Sequence, residues 1–347
     1  MPDLTCVAHV HSTYSDGSAT VAELLEACRQ AGVEVLLLTD HDTLAARRDG
    51  WEGWHEGVLL LVGHEVTPPG GHYLAFGLEE EITADGRSEE EIAAAVIERG
   101  GIGFAAHPWS NGSRMPGALS VLARPHPWRT LDRSAGAGVE LWSLTTDAAE
   151  DWRSPLEAVR YILDPEKATD GPRPEHLRAW DRLGRARRVP AIGGLDAHQH
   201  GSVRFRGRLH SLMPNRRYFR ILRTHVVLDD PLTGELGADR DAVLQALGAG
   251  RSYLACDFRA PATGFSFTAD GPEGTVPMGA ERRAGAYQLE MRTPVRAAVR
   301  IVRDGAPVAE APAADALTAA AEGPGVYRAE ARLDGRTWIL SNAIYLR

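Results

Sequence analysis

Short apolar runs alternate with stretches whose apolar residues recur at helical spacing over most of the chain. Residues 4–10 read as a strand. Thr20-Val21-Ala22-Glu23 is a capping box that opens a helix to about Ala31, with Leu24, Leu25 and Cys28 on its inner face and Gly32 as its stop. Residues 33–39 form a largely apolar run, the texture of a parallel strand covered on both faces. Further strands are expected at 58–66, 72–77, 102–106, 138–143, 190–195, 223–228 and 252–256. Helices are expected at 88–99, where Ser88 and Glu91 make a second capping box, and at 154–163, 174–187 and 239–247. Residues 109–135, rich in Gly, Pro and Arg, predict only a short helix near 117–123. About seven strand–helix repeats make this an α/β chain closing into a β/α barrel.

From about residue 261 the texture changes to short alternating runs at 265–268, 287–291, 295–302, 326–332 and 337–346, split by Gly, Asp and Pro. The Ala-rich stretch 309–321 fits neither strand nor helix clearly. The pattern predicts two domains, a barrel over 1–260 and a small antiparallel β-sandwich over 261–347.

The ends of the predicted strands carry unusual chemistry. His9 and His11 close the first, with Asp16 in the turn beyond. Asp40-His41-Asp42, Glu65, His72, His107, and Asp196 with His198 close or follow others. A lone buried histidine is more often structural. Six histidines, a glutamate and two aspartates gathered at strand ends instead form the ligand set for Zn, Mn or Fe(II), and point to a polynuclear metal site. Asp40 and Asp42 are equally compatible with orienting His41 and with turn or cap roles. His126, His176, His210 and His225 have no motif around them and are expected to be structural or exposed.

Composition narrows the partners. A net charge of −9 argues against a general nucleic-acid surface. No apolar run approaches the length of a membrane span, and residues 1–5 show no secretory leader. Cys6, Cys28 and Cys256 are expected to remain unpaired in a reducing, cytoplasmic setting.

His9-Val10-His11 with Ser15-Asp16-Gly17, Thr39-Asp40-His41, His107-Pro108 and Asp196-Ala197-His198 together resemble the PHP family, the polymerase and histidinol phosphatase domain. The resemblance covers about residues 4–200 strongly and extends loosely to about 260. It implies a distorted seven-stranded β/α barrel with two or three divalent ions. One ion would be held by His9, His11, Glu65 and Asp196. A second would share Glu65 and add His72 and His107, with His64 an adjacent competitor. A third would use Asp16, His41 and His198. Gly71-His72-Tyr73, Gly250-Arg251-Ser252-Tyr253 and the closing Trp338-Ile339-Leu340-Ser341-Asn342-Ala343-Ile344-Tyr345-Leu346 resemble the carbaryl-hydrolase-like branch, which has a C-terminal β domain. Ala343 stands where that branch would have proline.

These residues predict a metal-dependent hydrolase in which a metal-bridging hydroxide attacks the substrate. The preferred substrate is a small phosphate ester or short nucleotide, with a carbamate, ester or amide hydrolase and a non-catalytic metal-binding accessory domain as alternatives. Asp196 is a candidate proton acceptor and His200 a candidate proton donor by position. Arg114 and Arg204, in predicted loops, are candidates for binding the substrate's phosphate.

Overall fold

The computed structural model describes residues 1–115, 124–272 and 274–347. The short helix expected near 117–123 lies outside them. The strands are β1 (Asp3–Val10), β2 (Val35–His41), β3 (Gly53–His55), β4 (Val58–Val66), β5 (His72–Phe76), β6 (Ile102–Ala106), β7 (Gly138–Ser143), β8 (Ala191–Gly194), β9 (Ser202–Phe205), β10 (Arg208–Ser211), β11 (Arg223–Val227) and β12 (Ser252–Ala255). They continue as β13 (Ser266–Gly271), β14 (Gly274–Pro277), β15 (Glu281–Arg282), β16 (Ala286–Arg303), β17 (Ala306–Glu322), β18 (Gly325–Leu333), β19 (Arg336–Ser341) and β20 (Ile344–Leu346). The helices are α1 (Val21–Ala31), α2 (Ala45–Arg48), α3 (Glu89–Glu98), α4 (Leu144–Asp151), α5 (Pro155–Leu163), α6 (Pro165–Ala168), α7 (Pro174–Ala186), α8 (Asn215–Tyr218) and α9 (Leu236–Ala249). No helix among the described residues is long and apolar enough to cross a membrane.

The apolar runs divide their side chains by the two-residue period of a strand. Leu36, Leu38, Leu60 and Val62 enter one core, while Val35, Leu37, Leu59 and Leu61 enter a second on the opposite face. The sheet is therefore covered on both sides. Both expected capping boxes form: Thr20 with Glu23 starts α1, and Ser88 with Glu91 starts α3. Such a cap contributes about 1 kcal/mol.

β1, β2 and β4 pair in parallel, as do β6, β7 and β8. Between them β5 runs antiparallel to both β4 and β6. The Pro68-Pro69-Gly70-Gly71 turn is too short for a helical crossover, so strict strand–helix alternation breaks there. Beyond β8, Ala197 returns to Val10 through a parallel bridge.

The free edge of residues 189–197 is satisfied in an unusual sequence of partners. Val189 N–H donates to the Tyr345 hydroxyl at 2.9 Å. Ala191 is gripped at both N–H and C=O by the Asn342 amide, at 2.7 and 2.8 Å. Gly193 is gripped the same way by the Thr224 hydroxyl, at 2.9 Å each. The N–H groups of Leu195 and Ala197 then bond to the main chain of β1.

The C-terminal strands pair antiparallel except for β15 with β20, which run parallel, and some are longer than expected. The runs 287–291 and 295–302 belong to the single strand β16, with register shifts between Arg292 and Ala297. The Ala-rich stretch is β17, paired along β16. Trp338, Phe267, Leu289 and Ile301 anchor a separate core. β12 pairs with β11 on one side and β19 on the other, so hydrogen bonding runs unbroken from the first 260 residues into the rest.

Candidate metal centre

The carboxyl ends of β1, β2, β4 and β6, the amino end of antiparallel β5, the loop after β1 and the segment after β8 deliver the candidate ligands to one cup. The parallel register of β2 and β4 sets His41 directly opposite Glu65. The β5–β6 pairing sets His72 opposite Ala106, one residue before His107. Adjacent residues of a strand point to opposite faces, which separates Glu65 from its neighbour. Glu65 enters the cup, whereas the His64 ring accepts the Ile82 N–H at 3.0 Å, so His64 does not compete.

The backbone bends sharply to present these side chains. His9, His107 and Asp196 have φ of 60°, 31° and 49°, a left-handed conformation that β-carbon-bearing residues seldom adopt. A bulge between Ala8 and Val10 accompanies the first, so His9 and His11 do not follow simple strand alternation. Their rings still sit 5.2 Å apart. Gly194 is required beside them: a β-carbon there would collide with the Glu140 carboxylate.

All nine candidates converge. Glu65 lies at the middle, its Oε2 3.1 Å from His9 Nε2, 3.3 Å from His11 Nε2 and 3.3 Å from His41 Nδ1. Its Oε1 lies 2.9 Å from His72 Nδ1 and 3.5 Å from His107 Nε2. Asp196 Oδ1 lies 3.4 Å from His9 and from His198 and 3.6 Å from His11. Asp16 Oδ1 lies 3.1 Å from His198 and 3.6 Å from His41. Three overlapping sets have ligand atoms close enough to share an ion: His9, Glu65 and His107; His9, His11 and Asp196; and His11, Asp16, His41 and His198.

Divalent ions fit this donor set. The buried ring nitrogens Nε2 of His11 and Nδ1 of His41 face carboxylates yet make no hydrogen bond. Buried polar atoms without partners are costly, and lone pairs aimed at a shared point are what a cation requires.

Charge coupling across the cup is strong. Burial alone would lower the His9 pKa, but Glu140, Glu65 and Asp196 more than reverse it and hold it well above the ordinary value. For His198, Asp16 and Asp196 likewise outweigh burial and raise the pKa to about 9. Burial together with the neighbouring His198 lowers His11 to about 4. Burial would raise Asp16, but His198, His41 and His11 bring it down to about 2.

The other candidates fall in and around the cup. Neither Asp40 nor Asp42 orients the His41 ring. Asp40 accepts from Ser12 N, Ser12 Oγ and Ser15 Oγ and so shapes the β1–α1 loop, while Asp42 accepts from Thr67. Arg204 is spent on Glu23 at 2.8 and 2.9 Å, and exposed Arg114 faces Asp151 at 4.0 Å; no ion pair or hydrogen bond links either arginine to the nine candidates. His200 is exposed and stacks on His198 with ring centroids 4.9 Å apart. The half-buried ring of His126 stacks on His72 at 4.3 Å. His225 lies wholly buried between Asp3 and Asp257.

Two contributors escaped the sequence reading. Glu140 sits 2.8 Å from His9 Nδ1, and Thr146 donates its hydroxyl to Asp196 Oδ2. A single carboxylate inside the otherwise apolar run of β7 was the available signal for Glu140. Thr146 had none.

No family model matches the chain. An uncharacterized protein of Methanocaldococcus jannaschii is 29% identical over 114 residues, which are 29% of this chain and 66% of that protein. Phosphoribosyl 1,2-cyclic phosphate 1,2-diphosphodiesterase of Eggerthella lenta is 43% identical over 79 residues, 21% of this chain and 30% of that enzyme. The chain thus matches less than two thirds of the length of either relative. Among solved structures, a two-domain Bacteroides vulgatus protein containing a predicted PHP-like metal-dependent phosphoesterase is 15% identical, covering 99% of this chain and 95% of that one, with a TM-score of 0.41.

Proposed function

We propose that this chain is a PHP-like metal-dependent phosphoesterase acting on a small phosphate ester or short nucleotide. The observation that carries the reading is the convergence of nine imidazole and carboxylate side chains in one cup, five of the histidines facing the Glu65 carboxylate, with buried ring nitrogens left unpartnered. The pairing order β1, β2, β4, β5, β6, β7, β8 and the return to β1 support a distorted seven-stranded barrel, followed by a β-sandwich over 261–347. The likeness to a phosphodiesterase over 79 residues favours phosphorus over carbon as the electrophile.

His9, His11, Glu65 and Asp196 would hold one ion, Glu65, His72 and His107 a second, and Asp16, His41 and His198 a third. Zn, Mn and Fe(II) all suit imidazole with carboxylate. Bound there, such ions acidify water and neutralise charge growing on the phosphoryl oxygens. Glu65, with both oxygens facing histidines, spaces the sites. Asp196 faces His9, His11 and His198 through Oδ1, and Thr146 holds its other oxygen; this carboxylate is the group placed to take a proton. His200, exposed and stacked on His198, is the candidate for returning a proton to a leaving group. Cys6, Cys28 and Cys256, buried and free, suit a reducing, cytoplasmic setting.

Protein loaded with Zn, Mn or Fe(II) should be assayed with p-nitrophenyl phosphate, a phosphate bis-ester and a naphthyl carbamate. Turnover of a phosphorus ester is expected. Cleavage of the carbamate alone would replace this reading with carbamate hydrolysis, and full metal occupancy without turnover of any substrate would favour an accessory role.

A further inference from the structure

A barrel strand normally has main-chain neighbours on both edges. The strand that leads to Asp196 and His198 does not. β7 serves one edge, but main chain from β1 reaches the other only at Leu195 and Ala197. Upstream, the exposed N–H and C=O groups would be orphans inside the protein. Three side chains replace the missing strand at intervals of two residues: Tyr345 at Val189, Asn342 at Ala191 and Thr224 at Gly193. Each matches its target chemically. The amide offers both an acceptor and a donor, as does the Thr hydroxyl, and the Tyr345 oxygen accepts.

Two of the three come from β20 and the turn before it, in the C-terminal domain. Asn342 is itself fixed, donating also to Ser252 O and Oγ at 2.9 Å each. It is fully buried, as is the segment it holds. We propose that Asn342 and Tyr345 are positioning residues for the metal centre: the C-terminal domain closes the barrel seam and thereby fixes where Asp196 and His198 stand. The inference rests on the metal-centre reading for its functional meaning, while the seam itself is a separate physical claim.

The strained backbone at Asp196 makes the dependence strong. A residue held in the left-handed region persists only when its surroundings over-determine it. Releasing Ala191 loosens the strand five residues upstream of that bend, and leaves that edge to Thr224 at Gly193 and to β1 at Leu195 and Ala197.

The test uses the full-length protein and Co2+ as probe. Asn342→Leu keeps the volume and removes every hydrogen bond; Tyr345→Phe removes one hydroxyl and serves if the first variant does not fold. Val299→Ala, a cavity in the C-terminal core away from the seam, is the control for lost stability. Expected for the seam variants are faster amide exchange at Leu195 and Ala197, which neither side chain touches, and at least about tenfold weaker Co2+ binding with an altered visible spectrum. Val299→Ala should lower the melting temperature and leave both readouts unchanged. Wild-type exchange and Co2+ affinity in the seam variants, or equal losses in Val299→Ala, would overturn the proposal. Wild-type protein that takes up no Co2+ would sink the metal reading instead, and the exchange rates would still decide the seam.

Discussion

Nδ1 of His9 lies 2.8 Å from Oε1 of Glu140, and the other oxygen of that carboxylate accepts the His107 N–H at 2.8 Å. One buried side chain therefore fixes a ring and a backbone from two different strands. With an ion bound it would set the His9 tautomer, the proton on Nδ1 and the lone pair of Nε2 free for the ion. Glu140→Gln puts an amide where a carboxylate is needed. Divalent-metal affinity should fall by about 10- to 100-fold, measured by competition with a chromophoric chelator. Unchanged affinity would remove Glu140 from the centre.

Metal uptake should expel protons. The metal-free site holds His198 at a pKa of about 9, above its ordinary 6.5, so near neutral pH the ring is protonated and an ion must displace that proton. Affinity should climb as pH rises toward about 9. Calorimetry in two buffers of different ionisation heat counts the protons; a count of zero contradicts the arrangement.

His225 should make the protein sensitive to alkali. Nδ1 faces Asp3 at 2.9 Å and Nε2 faces Asp257 at 3.1 Å, with Arg223 on Asp257 and the Tyr253 hydroxyl on Asp3. Burial would lower the His225 pKa, but the two carboxylates raise it above 6.5. A raised folded-state pKa stabilises fully below the unfolded value and loses that contribution as pH climbs through the folded one. The urea midpoint of the wild type should decline above neutrality, and that of His225→Gln should lose this slope. Parallel profiles would count against the clamp.

Arg328 joins the two halves of the chain elsewhere. Its guanidinium meets both oxygens of Asp181 on α7, at 2.7 and 3.0 Å, and also Glu330. Arg328→Ala strands the buried Asp181 carboxylate, leaves Glu330 to Arg300 alone, and should cost about 3–5 kcal/mol in urea unfolding. Metal stoichiometry should stay intact, which separates this defect from those at the cup.

Most of the nine candidate ligands were legible because they stand where an apolar run stops, and a run that stops on His or Asp is conspicuous; Asp16 and His72 showed only beside turns. Helix starts were equally plain, since Thr20–Glu23 and Ser88–Glu91 are local signals. The antiparallel insertion of β5 was not, because strand direction depends on partners rather than on the run itself. β17 was obscure for a related reason: its alanines suit a helix by propensity, and pairing with β16 overrides that preference. Asn342 and Thr224 act through tertiary contacts far along the chain, which no pattern of neighbours encodes. The pairing of Arg204 with Glu23 was not legible, because an arginine in a loop carries no sign of the carboxylate it meets.

The continuous ladder from β1 through β11 and β12 to β19 bears on how such a chain can evolve. A genetic exchange that swapped the last eighty or so residues for those of a distant cousin would import a foreign edge strand and foreign partners for Ala191. Compatible recombinants must carry the region around Ser252 and the stretch from Asn342 to Tyr345 together. The two halves are inherited as one garment rather than as interchangeable parts.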